Sequence, residues 1–442
     1  MAQNKKKKHQ RPQQRKAEPK PVRLSQVMIV KNEEKNIERA LKWAKGIAFE
    51  QIVVDTGSTD RTVEIAEKMG AKVFHFTWIN DFGAAKNYAI EQASGNWIAF
   101  LDADEFFVDK EVPVVMEYLD KINREHPAIL GIVCPWVCVD ESKDMEIQLI
   151  GEQMRLFRNK PNVRYVGKIH EAIPLHITQH VKTTEFSILH TGYTPEEYKD
   201  KAKGERNVEL LRKAVEDYPD NANYKAYLAE ALRTSEGGKK EAREIYRALR
   251  SSGTQFLKTL MLNMYVYSMM DLFNEDLTAN RDEIESLALE AMGKFPEAPD
   301  PYYYYAVVLF KKKDFENAWL FLNKCADALK KLKVGVTNYV SVPILYNSML
   351  RCAYHMGRED EMPACARNAL KDDPYRTYYA AQTMLYLYDD CKYPEEKIAS
   401  FMLNLGIYKM DNVNDLIFLT KAAKESGIKS LAQCFLALLT AE

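Results

Sequence analysis

Between residues 24 and about 110, short apolar runs alternate with stretches of helical spacing, and this alternation narrows the fold more than any other feature of the 442-residue chain. Val27 to Val30 is a run, followed by Glu33 to Lys45, where Ile37, Ala40, Leu41 and Ala44 recur at helical spacing. Ile52 to Val54 precedes a helical pattern from Asp60 to Met69, and the alternating Val73, Phe74, Phe76 and Trp78 precede another from Phe82 to Ala93. Trp97 to Leu101 closes the series. Strand, helix, strand, helix, strand, helix, strand is the signature of a mostly parallel, Rossmann-like α/β sheet with helices on both faces. Ligands bind such sheets at the carboxyl ends of the strands.

Polar residues gather at those ends. Lys31, Asn32 and Glu33 follow the first run, Asp55 to Asp60 (DTGSTD) the second, and Asp102, Ala103, Asp104 and Glu105 the last, with Lys86 and Asn87 in the helix before it. Asp102 and Asp104, read as leaving a strand with side chains on one side, form a carboxylate pair of the kind that holds Mg²⁺ or Mn²⁺ against a diphosphate. Acidic triplets after strands also simply open loops. Gly57 permits a tight turn and Ser58 or Thr59 can cap the next helix, whereas Asp55 is not needed for capping and offers an acceptor for the imide N–H of a base. Lys86 supplies a point charge for a diphosphate; its plain alternative is a solvated helix lysine.

The pattern changes near residue 200. Of the 25 tyrosines, 20 lie beyond it, and residues 300–326 read as two helices joined by a polar turn at Lys311 to Asp314. Tyr302, Tyr305, Ala306, Leu309, Ala318 and Leu322 fall at tetratricopeptide offsets there; residues 223–249 repeat the pattern with an insertion at Ser235 to Gly238, and 346–374 repeat it more weakly with Gly357 in the turn. Pro219, Pro296 and Pro374 are 77 and 78 residues apart, a little over twice the repeat length of about 34. The expected division is therefore a tail over 1–23, an α/β domain over 24–200 and an all-α tetratricopeptide-type solenoid over 201–442.

Hydrophobic residues at 46% and charged residues at 28% suit a globular chain. Its longest apolar stretch, Ala128 to Val139, is broken by Pro135 and falls short of the roughly 18 residues of a spanning helix. Residues 1–23 hold nine Lys/Arg against one Glu with almost nothing apolar and no signal-peptide core, so a flexible arm is expected. Its charge permits at most peripheral contact with anionic lipid; the remaining chain is acidic, which disfavours a specific nucleic-acid partner. Seven cysteines without a CxxC pair point to a reduced, cytoplasmic protein, with Cys134 and Cys138 in a buried strand rather than ligating metal.

Four segments, MIVKNEEKNIERAL, IVVDTGSTDRTVEIA, WINDFGAAKNYAI and WIAFLDADE, taken in order and spacing, resemble the family 2 glycosyltransferases. The resemblance covers about residues 24–195. VRYVGKIHEAIP and ILHTGYTPEEY further resemble a subgroup with tetratricopeptide repeats behind the catalytic domain, including bacterial peptide glycosyltransferases that modify bacteriocins. The resemblance implies a GT-A fold, a UDP-sugar donor (glucose or N-acetylglucosamine type), a divalent metal (Mn²⁺ or Mg²⁺) and inversion at the anomeric carbon. It assigns Asp55 to the uracil with backbone near Val30, Asp102 to the ribose and metal region, Asp104 to the metal, and Lys86 to a position where relatives often carry Arg. Asn32, Thr56, Ser58, Asn87 and Arg155 complete the expected nucleotide-sugar set, with a structural ion pair the alternative for Arg155, and His190 completes the metal site, with a strand-end histidine bonded to backbone its alternative. Glu171 is the first candidate for the base that deprotonates the acceptor and His170 the second. The solenoid favours a peptide or protein acceptor, against a cell-surface polysaccharide or lipid-linked saccharide, and is a candidate dimer surface. An inactive transferase domain on a repeat scaffold is the reading from outside the enzyme class.

Overall fold

The computed structural model describes residues 20–143, 145–191, 201–332 and 339–440. Most of the expected basic arm and, after Thr191, the rest of the TGYTPEEY segment lie outside the described residues. Two compact units emerge, Met1–Pro219 and Asp220–Glu442.

In the first unit, β1 (Leu24–Val30), β2 (Glu50–Asp55), β3 (Lys72–His75) and β4 (Trp97–Phe100) are joined by α1 (Ile37–Lys42), α2 (Thr62–Met69) and α3 (Phe82–Glu91). These four strands run parallel in the order β3-β2-β1-β4. The order reverses between β1 and β4, and there the helices diverge to opposite faces and leave a crevice. Met28, Val30 and Val53 pack under α1 and α2 with Ile37, Leu41 and Ala66. Val27, Ile52, Val54 and Phe100 pack under α3 with Ala89 and Ile90. Burial on both faces explains why the strands read as unbroken apolar runs.

The sheet continues as a mixed one. After β5 (Glu105–Phe107) and α4 (Val112–Glu125), the long hairpin of β6 (Gly131–Asp140) and β7 (Glu146–Arg158) adds with β7 antiparallel to β4. β8 (His180–Lys182) and β9 (Ile188–His190) lie parallel to β6, and β5 returns antiparallel to β9. α5 (Lys201–Asp217) ends the unit. Glu50 fastens the edge remote from the crevice. Its carboxylate accepts from Ser25 Oγ at 2.8 Å, Ser94 N at 2.6 Å and Lys72 Nζ at 2.7 Å. Burial works to raise its pKa, but these bonds prevail and lower it to about 2.

Three local expectations change. The first helix is confined to Ile37–Lys42, with turns on either side, and β3 stops at His75 instead of reaching Trp78. β4 stops at Phe100, so Asp102 and Asp104 stand in a turn, not on a strand face. Glu105 makes that turn: its carboxylate accepts from Asp102 N at 3.0 Å, and its own N–H donates to Asp102 O at 3.0 Å.

The second unit is helical among its described residues. Helix pairs α6 (Ala222–Thr234) and α7 (Lys239–Ser252), α8 (Lys258–Asp276) and α9 (Arg281–Lys294), α10 (Pro299–Lys311) and α11 (Phe315–Lys330), and α12 (Val342–His355) and α13 (Met362–Leu370) follow in series. The pairs α14 (Thr377–Asp389) and α15 (Glu395–Leu403), then α16 (Val413–Glu425) and α17 (Lys429–Leu439), complete it. Ala306 and Ala318 are fully buried where α10 meets α11, as small residues at a close helix crossing must be. Tyr303 and Tyr304 fill the core, while Tyr302 and Tyr305 lie against Phe321 with ring centroids 6.4 and 4.6 Å away. Among the described residues no helix is long and apolar enough to cross a membrane.

Candidate active site

A cavity of about 590 Å³ opens at the carboxyl ends of β1, β2 and β4. One wall is built by two interlocked loops. Asn32 adopts a left-handed φ of +57°, its N–H donates to Ser58 Oγ at 2.9 Å, and its side-chain oxygen accepts from Thr59 N at 2.8 Å. Asp55 accepts from Gly57 N at 3.1 Å and Ser58 N at 3.0 Å, and Thr56 Oγ1 donates to Val30 O at 3.0 Å. Burial pushes the Asp55 pKa up, yet the bonds from Ser58, Gly57 and His75 outweigh it and hold the carboxyl below its usual range. Ile29, Val30, Lys31, Glu33 and Thr56 line the cavity. Asn32, Asp55 and Ser58 do not; their side chains shape the loops.

Charged groups form the floor. Lys86, on the buried face of α3, brings Nζ to 2.7 Å from Glu171 Oε1 and 3.7 Å from Asp102 Oδ1. From β7, Arg155 Nη2 donates to Asp102 Oδ2 at 2.8 Å and to Glu105 Oε1 at 2.6 Å. Burial alone would raise the Asp102 pKa, but Lys86 and Arg155 reverse this and lower it to about 2. Lys86 is held firmly in its ammonium form: burial opposes the charge, and Asp102 and Glu171 more than restore it.

Asp104 turns the other way. Its Oδ2 is 3.2 Å from His190 Nε2 at the end of β9, and the His190 ring lies against Trp136, centroids 4.5 Å apart, with Nδ1 3.5 Å from Cys138 Sγ. Burial lowers the His190 pKa; the bond to Asp104 prevails and raises it. Among the described residues no group of three or more His, Cys, Asp or Glu side chains surrounds a metal position. The expected trio is split, since Asp102 is engaged by Lys86 and Arg155. Asp104 and His190 still offer a carboxylate and an imidazole, a donor set that fits Mn²⁺ or Mg²⁺ when diphosphate and water oxygens fill the other positions.

The opposite wall is a hairpin closed by the Val166–Ala172 bridge, which carries Ile169, His170 and Glu171 into the cavity. His170 has φ +52°, a strained conformation for a non-glycine residue. Surrounding protein lowers its imidazole pKa although the residue is exposed, with Glu171 opposing, so the ring is neutral at neutral pH. Asn87 bonds both backbone groups of Tyr165 at 2.9 Å, so its amide holds the hairpin and does not face the cavity. Gly83 completes the join: a Cβ there would collide with Gly167 O, and Phe82 N donates to Lys168 O at 2.8 Å.

Residues 25–171 match the model described as Glycosyl transferase family 2. The chain carries a family 2 glycosyltransferase domain. A TPR repeat-containing protein of Synechococcus elongatus is 32% identical over 210 residues, covering 46% of this chain and 50% of that one. The SPbeta prophage-derived glycosyltransferase SunS of Bacillus subtilis is 29% identical over 216 residues, covering 46% and 48%. The chain thus spans about half the length of these curated relatives. Among solved structures, glucosyl-3-phosphoglycerate synthase of Mycobacterium tuberculosis, crystallised with Mn²⁺, UDP and glucosyl-3-phosphoglycerate, is similar at 16% identity and a TM-score of 0.32, covering 44% of this chain and 80% of that one. S. aureus TarS is similar at 19% identity and a TM-score of 0.31, covering 56% and 49%. The sheet order and the family match give the first unit the GT-A architecture, followed by TPR-like helix pairs.

Other residues brace or line the cavity without a role having been expected for them from the sequence. Glu105 is only 1% exposed and joins Arg155, Asp102 N and Trp136 Nε1, the last at 2.7 Å. Its place directly after Asp104, opening a new strand, was the available signal. Trp78 and Phe82 contribute aromatic rings, Gln153 lines the cavity from β7, and α5 adds Arg206 and Asn207, for which sequence gave no cue.

Proposed function

We propose that the protein transfers a hexose, of the glucose or N-acetylglucosamine type, from a UDP-sugar to a peptide or protein side chain with inversion at the anomeric carbon. The observation that carries this reading is the joining of cations and acceptor-side groups in one cavity of a family 2 domain: Lys86 and Arg155 stand on the floor, Asp104 faces His190, and His170 and Glu171 lie across from them. Asp104 and His190 would hold a divalent ion, which when bound supplies positive charge to the leaving diphosphate. Lys86 adds its ammonium to that charge. The acceptor atom bonds to the anomeric carbon as the bond from that carbon to the diphosphate oxygen breaks and its electron pair leaves with UDP. The acceptor proton passes to Glu171 or His170; the neutral ring of His170 is able to take it. The backbone at Val30 is assigned to the base, with Asp55, Asn32, Thr56 and Ser58 shaping that wall and Asn87 holding the hairpin. The helix pairs of the second unit favour an extended peptide acceptor, and a reduced cytoplasmic setting agrees with seven free cysteines among the described residues.

The test is UDP release from a panel of UDP-sugars, with and without Mn²⁺, by the native chain and Asp104→Ala. Release from one sugar that needs both metal and Asp104 supports the reading and names the donor. If no nucleotide binds, the domain serves as a scaffold.

A further inference from the structure

Lys86 occupies an unusual position between the two halves of the cavity. Its residue is 6% exposed, and its ammonium is flanked by the rings of Phe100 and Tyr165 at 5.2 and 5.1 Å. Two carboxylates compete for it unequally. Glu171 takes a full hydrogen bond at 2.7 Å, whereas Asp102 stands at 3.7 Å, beyond hydrogen-bond length. The backbone cannot relax this arrangement, because Asn87, the residue next to Lys86, grips Tyr165 and the Gly83–Gly167 approach fixes α3 against the hairpin. The lysine side chain, a point charge on a flexible stem, is able to shift.

We propose that Lys86 is an electrostatic latch on Glu171: without donor it holds this carboxylate, and a diphosphate seated beside Asp102 draws the ammonium away, so that Glu171 is released only once the donor is bound. The inference rests on the transferase reading and adds an order of events to it. A carboxylate engaged by a buried ammonium already spends its best acceptor site, and that oxygen is open to an acceptor proton only after the ammonium leaves. Donor before acceptor follows.

The test needs no acceptor. UDP affinity is measured by calorimetry, with and without Mn²⁺, on the full chain and on Lys86→Met, Glu171→Gln, Glu171→Asp and the Lys86→Met/Glu171→Gln double variant, each checked for folding by circular dichroism. Glu171→Gln frees the latch and tightens UDP by about three- to tenfold; Glu171→Asp, which keeps the charge but withdraws it by one methylene, gives a smaller gain; Lys86→Met weakens UDP by about tenfold. In the double variant the gain from Glu171→Gln disappears. Unchanged or weaker binding in Glu171→Gln overturns the latch, as does a gain of equal size in the Lys86→Met background, which assigns it to direct repulsion between Glu171 and the diphosphate. Native binding of UDP tests the transferase reading separately; its absence overturns both.

Discussion

Buried ion pairs occur in both units, and they differ in what surrounds them. In the second unit Arg233 and Asp271, with side chains 10% and 7% exposed, meet through two bonds of 2.8 and 2.7 Å, and Tyr267 covers the guanidinium. That pair closes on itself between α6 and α8 and sets how one helix pair seats on the next. In the first unit Lys86, Asp102, Arg155 and Glu105 form a chain of unequal contacts beside open volume. Charge buried against charge specifies packing; charge buried beside a cavity at strand ends is arranged for a visitor.

The sharpest way to break this contrast is to remove charge on each side. Asp104→Ala lowers UDP release by about a hundredfold or more while leaving thermal melting unchanged; an equal loss of melting temperature would make Asp104 a packing residue. Asp271→Ala does the reverse. It strands the Arg233 guanidinium and destabilises by about 3–5 kcal/mol in urea with UDP affinity intact, and Arg233→Met with Asp271→Leu recovers most of the loss. Acid titration gives a smaller effect. The Glu50 pKa is depressed from 4.5 to about 2, so its stabilising contribution is complete above pH 4.5 and fades as the pH falls toward 2. Melting curves of Glu50→Gln lack that part of the slope. Least affected is the exposed Arg61–Glu64 pair at 2.9 Å, where Arg61→Ala produces no measurable change in melting or UDP binding.

Local periodicity made much of the fold legible. The β1-to-β4 alternation and the paired helices around Ala306 and Ala318 were written in residues a few positions apart. What stayed hidden depends on distant contacts. The β4–β7 pairing, the return of β9 to β5, and the reach of α5 into the cavity join segments tens of residues apart, which no period encodes. Lys86, Asp102, Asp104, Arg155, His170, Glu171 and His190 do line one cavity, whereas Asn32, Asp55, Ser58 and Asn87 are spent on building its walls. Polar residue type signals that a side chain will bond, not with what.

The contact between Gly83 and the carbonyl of Gly167 has a practical corollary for recombining such enzymes. The stretch that introduces the nucleotide-side lysine and the stretch that carries the acceptor-side His170 and Glu171 meet where Gly83 has no room for a β-carbon. They form one inheritance block despite the long sequence between them. A chimera that imports a new 163–172 hairpin to change the acceptor must import the entrance of α3 with it, or the seam will not close.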